Sequence, residues 1–433
     1  MDAEKKRNIV IVGGGIIGCT TAYFLTRHKS FNPALHTITI LEATSIAAGA
    51  SGKAGGLLAL WAYPDCLVPL SFRLHAELAA QHGGAERWGY RRVKCGSLAF
   101  NVSSKKISSF QREKAAAKGD VVSAKGKSWE KLPKQDADAA ALLKEARVPA
   151  DLDWVDPETV AGYAEMGGPG TTDTAQVHPL HFTTSMAELA RERGVDIREG
   201  AQVTEIHTGK DRRAVESVAY VDRETGETKR IDDVTDVIVC AGPWTGKVLP
   251  RSKIEGLRAH SVVFEADVSP YAIFTDISLP SDYVPSHRAS KGQRRRHRGN
   301  VDPEIYARPN NEVYACGEPD SSVPLPETAD LVQKDESQCE DLVAYISTIS
   351  PQLRAAPVTA RQACYLPRHI RFGQERGPIV GPTSVTGLWV AAGHTCWGIQ
   401  NGPGTGYLMA EWVFDGAVSS APISKLDPRA FKV

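Results

Sequence analysis

The chain has 433 residues, with Lys+Arg and Asp+Glu equal at 51 each, so no bulk charge directs it to nucleic acid or to acidic membranes. At 42% apolar and 24% charged it has an ordinary globular composition, too long for one compact core, which predicts two domains or an elaborated α/β unit. No apolar run approaches the length that spans a bilayer.

Asn8 to Val12 is a short β-branched strand pattern, and Gly13-Gly14-Gly15-Ile16-Ile17-Gly18 follows at once. A helical pattern runs from Cys19 to His28, then a second strand from Thr37 to Leu41 ends in Glu42. Strand, GxGxxG, helix, strand and acid make a dinucleotide site. Gly13 permits the sharp turn, Gly15 leaves the backbone bare to a pyrophosphate, and Gly18 lets the helix pack close to the sheet. The helix N-terminus supplies unpaired N–H groups and a positive dipole end. Glu42 accepts from the ribose hydroxyls and disfavours a 2′-phosphate. Gly13, Gly15, Ile16, Ile17, Gly18, Glu42 and Ala43 are therefore the expected contacts. Lys5, Lys6 and Arg7 before an apolar stretch imitate a secretory leader, but the triple glycine and the missing cleavage site argue against one.

Ala47 to Leu58 is a run of very small residues leaving the cofactor strand directly. This ASGKAGG stretch, placed after the first motif, resembles the D-amino-acid oxidase, glycine oxidase and sarcosine oxidase superfamily of FAD enzymes. The resemblance implies a Rossmann-like FAD-binding domain plus an α+β substrate domain with a large, mostly antiparallel sheet. It divides the chain into 1–85, 178–250 and 370–433 for FAD and 86–177 and 251–369 for substrate. It further implies that Ser51, Gly52, Lys53, Ala54, Gly55 and Gly56 lie along the flavin, largely through backbone groups.

Pro69 to His82 reads as a helix, and strand-like patterning begins near Trp88. Residues 103–150 read as surface helices and an insertion. Thr183 to Arg193 is a helix followed by two strands, and the resemblance sets Val203 beside the adenine. His178 and His181 read as structural rather than catalytic. Val215 to Thr228 is a hairpin with a Glu224-Thr225-Gly226 turn. The strand Thr235 to Trp244 ends in Ala241-Gly242-Pro243-Trp244, which resembles the family's second approach to FAD through Ala241, Gly242 and Trp244. Leu257 to Asp267 and Tyr271 to Ile277 alternate as half-buried strands do. The Arg-rich stretch 287–298 reads as an exposed hairpin tip rather than a nucleic-acid site. Ile305 to Glu318 is a hairpin on a Pro309-Asn310-Asn311 turn.

Near the C-terminus a strand ends in Ala391-Ala392-Gly393-His394, and a Gly-rich helix opens at Asn401 to Gly406 and closes at Gly416. That dipole end suits the flavin edge that gains negative charge on reduction. The resemblance implies that Gly393, His394, Thr395, Cys396, Trp397, Gly398 and Ile399 wall the active site, with His394 and Trp397 nearest the ring, either acting in catalysis or only packing. It also implies hydride transfer from a small amine or amino acid to flavin N5, reoxidation by molecular oxygen and release of hydrogen peroxide. A dehydrogenase with another acceptor, or a flavoprotein with a regulatory or trafficking role and a protein partner, remains open.

Two departures from the family pattern stand out. The expected carboxylate-binding arginine is replaced by Leu366, so either Arg308, Arg361 or Arg368 takes a carboxylate or the substrate is not a simple α-amino acid. Cys364 stands where some relatives carry a covalent flavin link; it is either that link or an ordinary thiol, and non-covalent FAD is the expectation. The eight cysteines show no CxxC pair and no zinc spacing, so no metal is expected. They read as reduced thiols in a cytoplasmic protein, with endosome association open; Phe431-Lys432-Val433 is not a peroxisomal address.

Overall fold

A computed structural model describes residues 5–109, 148–167, 170–209 and 213–433. Most of the stretch read as surface helices and an insertion lies outside the described residues.

The cofactor motif sits in a six-stranded sheet of β1 (Arg7–Val12), β2 (His36–Leu41), β8 (Asp196–Arg198), β12 (Asp236–Val239), β19 (Ile379–Pro382) and β20 (Leu388–Ala392). The order is β19-β20-β12-β1-β2-β8, with β19 alone antiparallel. The strand order therefore reverses at β1, the point where open α/β sheets bind ligands at their carboxyl ends. β1 is apolar from Ile9 to Val12, where both of its faces are covered. Ile9 and Ile11 enter a core with the helices α1 (Ile16–Leu25), α2 (Val68–His82), α3 (Pro179–Arg191) and α5 (Gly398–Asp415). Val10 and Val12 face the opposite core, beneath the antiparallel strands β9 (Ala201–Thr208), β10 (Val215–Asp222) and β11 (Thr228–Ile231). A small third sheet joins β3 (Leu57–Ala59), β7 (Thr174–Gln176) and β4 (Arg91–Arg92).

The largest sheet has eight strands: β5 (Lys94–Asn101), β6 (Val160–Glu165), β13 (Ile254–Glu265), β14 (Tyr271–Ser278), β15 (Glu304–Arg308), β16 (Glu312–Cys316), β17 (Val358–Arg371) and β18 (Gln374–Arg376). Their order is β18-β17-β13-β16-β15-β14-β5-β6, antiparallel except for β14 on β5. One face packs beneath α4 (Glu336–Ile346) in its own core. The three-residue turn Pro309-Asn310-Asn311 between β15 and β16 holds both asparagines at positive φ, 66° and 58°, a conformation asparagine tolerates. The Arg-rich segment joins β14 to β15, as read. It is less free than a hairpin tip, because Arg288 forms a two-pronged ion pair with Asp341 of α4, while Arg294, Arg296 and Arg298 stay exposed.

α5 begins at Gly398, three residues before the glycine-rich start read from sequence, and runs through Pro403. Proline has no N–H for the carbonyl four residues back, here Ile399. His75 of α2 replaces that donor: its Nε2 lies 2.9 Å from the Ile399 oxygen and 3.2 Å from that of Gln400. Gly402 and Gly406 face α1 rather than a ligand. A Cβ at Gly402 would lie 2.7 Å from Ile16, and one at Gly406 would lie 2.5 Å from the Thr20 backbone.

Burial pushes His75 from 6.5 down to about 4, so it is neutral in the fold while the unfolded chain takes up a proton near 6.5. Stability contributed here is full above pH 6.5 and is lost as pH falls toward 4. Urea midpoints measured from pH 8 to pH 4 should fall over that window, and His75→Gln should flatten the decline.

Among the described residues no helix is long and apolar enough to cross a membrane.

Candidate active site

A cavity of about 690 Å³ runs from the carboxyl ends of β1 and β2 to the inner face of the eight-stranded sheet. Its first wall is the glycine turn. Gly13 has φ +110°, and a Cβ there would lie 2.5 Å from the Cys240 carbonyl at the end of β12. A Cβ on Gly18 would lie 2.0 Å from the Gly13 oxygen, which is why Gly18 supports the turn without lining the cavity. Gly15 does line it, and the missing side chain leaves its backbone bare. α1 starts at Ile16, earlier than the helical pattern suggested, because Ser51 Oγ accepts from the Ile16 amide at 2.9 Å. Glu42 also lines the cavity, with its carboxylate already accepting from Gly14 N at 2.7 Å and from Thr44 N and Oγ1 at 2.9 Å.

The small-residue run folds over this turn. Ser51, Ala54, Gly55 and Gly56 line the cavity; Gly52 and Lys53 do not. Gly52 is pressed on the Ala47 carbonyl, and Lys53 Nζ donates to the Ala363 oxygen at 3.2 Å. A Cβ on Gly55 would lie 2.2 Å from the Tyr306 ring, so this glycine sets the distance between the loop and the large sheet. Ile16, Ile17, Ala43, Val203, Ala241, Gly242 and Trp244 line the same space, as does the whole stretch from Gly393 to Ile399. Thr395 holds a φ of +50°, unusual for a β-branched residue, at that wall.

A strap not foreseen from sequence closes the cavity. Gly317, Pro319 and residues 327–329 line it. Arg258 of β13 pairs with Asp320, both almost fully buried, at 3.2 Å through Nε and Nη2. Tyr365 donates to Val323 and Pro324 carbonyls, and Trp244 Nε1 donates to Pro326 at 2.8 Å.

The candidate catalytic residues divide. His394 and Trp397 are at the wall. Burial drives His394 down to about 3, and its Nε2 shares a 3.0 Å hydrogen bond with Thr405, so it is a poor proton acceptor. Trp397 Nε1 is buried with no acceptor among the described residues, an orphan donor beside the cavity. Arg308 lies outside the wall. Its Nη2 is 2.7 Å from His178 Nε2 and 2.9 Å from Glu312, and its Nη1 reaches the Ala54 carbonyl, so it ties β15 to the cofactor loop. Arg361 and Arg368 face Glu336 and Glu375 instead. Among the described residues no arginine lines the cavity, and its single lysine, Lys247, donates to Glu327 and Pro326 at the strap. His178 caps α3 and stacks on His181.

The far end is built from strands that sequence could not bring together: Ser261, Cys316, Glu304 and Phe274, with Tyr306 and Tyr314 alongside. Cys364 and Leu366 of β17 complete it. Burial pushes the Cys364 thiol up to about 11.

These residues fit a flavin dinucleotide: a glycine cradle that a Cβ would fill, an acid at the second strand, two helix N-termini and an orphan indole donor. A family model described as FAD dependent oxidoreductase matches residues 8–412. The chain is 35% identical to the TDA3 protein of Saccharomyces cerevisiae, over 99% of this chain and 96% of that one. In fold it is similar to glycine oxidase from Geobacillus kaustophilus, with a TM-score of 0.65 at 18% identity over 98% of each chain. It is also similar to L-proline dehydrogenase from P. horikoshii, with a TM-score of 0.63 at 16% identity over 99% of this chain and 98% of that one.

Proposed function

The chain belongs to the DAO family of FAD-dependent oxidoreductases, and from that premise we propose that it oxidises the C–N bond of a small amine or amino acid, with dioxygen as the electron acceptor. The observation that carries this reading is one continuous cavity shared by the glycine turn of β1, the start of α5 and the aromatic face of the large sheet. The chemistry that FAD supplies when bound is acceptance of a hydride from the substrate carbon and transfer of two electrons to oxygen, yielding hydrogen peroxide.

The chain's residues bind, orient and exclude water. Gly13, Gly15 and the first turn of α1 would hold the pyrophosphate by backbone amides and the helix dipole. The start of α5 turns its positive end toward the wall from Gly393 to Ile399, where it would favour negative charge. The strap roofs the cavity against solvent. We assign residues 1–85, 178–250 and 370–433 to the FAD-binding unit and 86–177 and 251–369 to the substrate unit.

FAD is held here without a covalent bond. A thiolate is the species that attacks a flavin, and burial keeps the Cys364 thiol protonated. Acid precipitation of the purified protein should release the yellow colour to the supernatant, and Cys364→Ser should retain as much flavin as the parent. Colour that stays in the pellet and disappears in the variant would overturn this.

Anaerobic mixing of the flavin-loaded protein with an amine panel tests the reaction. Bleaching of the flavin absorbance, recovery on adding air and matching peroxide are expected. Bleaching with slow recovery in air would identify a dehydrogenase. No bleaching by any amine would favour a regulatory flavoprotein.

A further inference from the structure

The inner face of the eight-stranded sheet carries a lateral row of paired residues. Gln362 pairs with Ser261, Ser261 with Cys316, Cys316 with Glu304, and Glu304 with Phe274. Cross-strand partners share a face, so Glu304 stands in this row between Cys316 and Phe274. Its Oε2 accepts from the Tyr306 hydroxyl and, at 3.9 Å, from the Cys316 thiol. Oε1 has no partner among the described residues, and Glu304 lines the cavity.

An unbroken chain of aromatic rings begins on the same face. Tyr314 and Tyr306 are stacked at 6.0 Å, Tyr306 and Phe274 meet at 5.9 Å, Phe274 and Trp61 at 5.8 Å, and Trp61 and Trp397 at 5.6 Å. Ring faces attract cations and give nothing to an anion. Burial pushes the Glu304 carboxyl up, as expected of an acid in apolar surroundings that lacks a positive partner. The charge inventory at this end is one-sided: a carboxyl group and rings, and among the described residues no arginine on the wall.

We infer that the substrate end of the cavity recognises a cationic amine that carries no carboxylate beside its reacting carbon, with the ammonium seated on Glu304 Oε1 and faced by Phe274 and Tyr306. This deepens the proposed amine oxidation and rests on it for the identity of the reacting group. Where the family resemblance implies a carboxylate-binding arginine, this end of the wall carries an acid instead. Leu366, at the position where that arginine was expected, lines the same cavity and suits the apolar part of such a substrate.

The test uses tetramethylammonium chloride, sodium acetate and uncharged tert-butanol as probes. Each is titrated into the flavin-loaded protein, read as a flavin difference spectrum, and into the flavin-free protein, read as a shift in melting temperature. Tetramethylammonium should bind saturably, and acetate and tert-butanol should not. Glu304→Gln, which keeps the shape and an acceptor for Tyr306, should weaken the cation about tenfold or more. Phe274→Leu should weaken it about fivefold and serves if the first variant fails to fold. Acetate binding more tightly than the cation, or unchanged cation affinity in either folded variant, would overturn the inference. A protein that takes up no FAD still reports on the cation through its melting shift, so failure of the flavin reading and failure of the cation site are seen separately.

Discussion

Gly18→Ala is expected to strip the protein of FAD and to cost about 2–3 kcal/mol of stability, the upper part of the range for overpacking. The added carbon would lie 2.0 Å from the Gly13 carbonyl oxygen, and backbone is what it meets. Gly13 cannot retreat, because it holds φ +110° and is already pressed against the Cys240 carbonyl. α1 must therefore lift from β1, and the turn that would cradle the pyrophosphate opens with it. Gly14→Ala is the internal control. Its new carbon meets the end of the Ile46 side chain at 2.5 Å, which can swing aside, and Glu42 Cβ and Cγ at 3.1 Å, which need give only a little, so a loss under about 1 kcal/mol is expected. Urea midpoints and flavin content after gel filtration measure both. A Gly18→Ala protein that keeps its flavin and its midpoint would refute the proposed cradle.

Arg258→Met has the second large effect, about 3–5 kcal/mol, the usual consequence of leaving one member of a buried ion pair alone. Asp320 would then lie in the interior with Ser322 and Gln338 as its remaining donors. Burial alone would raise the Asp320 carboxyl, but donors from Ser322, Gln338 and Arg258 outweigh it and hold it well below the usual range. A depressed acid stabilises the fold above its unfolded value of 3.8 and loses that contribution as pH falls through the folded value. The difference between parent and variant should therefore be full at neutral pH and shrink only in strong acid. The strap should loosen with it, so FAD should dissociate faster from the variant. The double variant Arg258→Met/Asp320→Asn should lose less than the sum of the two single changes. Additive losses would show that the pair does not act as a unit.

The β1–α1–β2 unit was legible because its causes are local: glycines at fixed offsets, apolar residues on both faces of a strand, an acid at the next strand end. The Pro309-Asn310-Asn311 turn was legible for the same reason. The start of α5 was placed three residues late, because Gly402, Pro403 and Gly406 read as the opening of the helix rather than its interior. The helix persists through donors and contacts from α2 and α1 that no window of sequence contains. Arg308 read as a substrate residue because Leu366 stands where a carboxylate-binding arginine was expected, yet Tyr306, two positions earlier, takes the cavity wall. The strap has no periodicity and is fixed by Arg258, 62 residues earlier. Glu304 became a site residue only when β13, β14, β15 and β16 were laid side by side.

The position of β1 in its sheet has a consequence for how the protein is made. Asn8, on this first strand, bonds to Thr235, 227 residues further on, just before the strand that flanks β1 on one side. β12 in turn leans on β20, near residue 390. At ribosomal speeds of about 5–20 residues per second, β1 waits tens of seconds with apolar surface bare on both faces. Local pairing with β2 leaves the other edge open throughout. The nascent chain is thus exposed to chaperones and to edge-to-edge aggregation until its last hundred residues emerge.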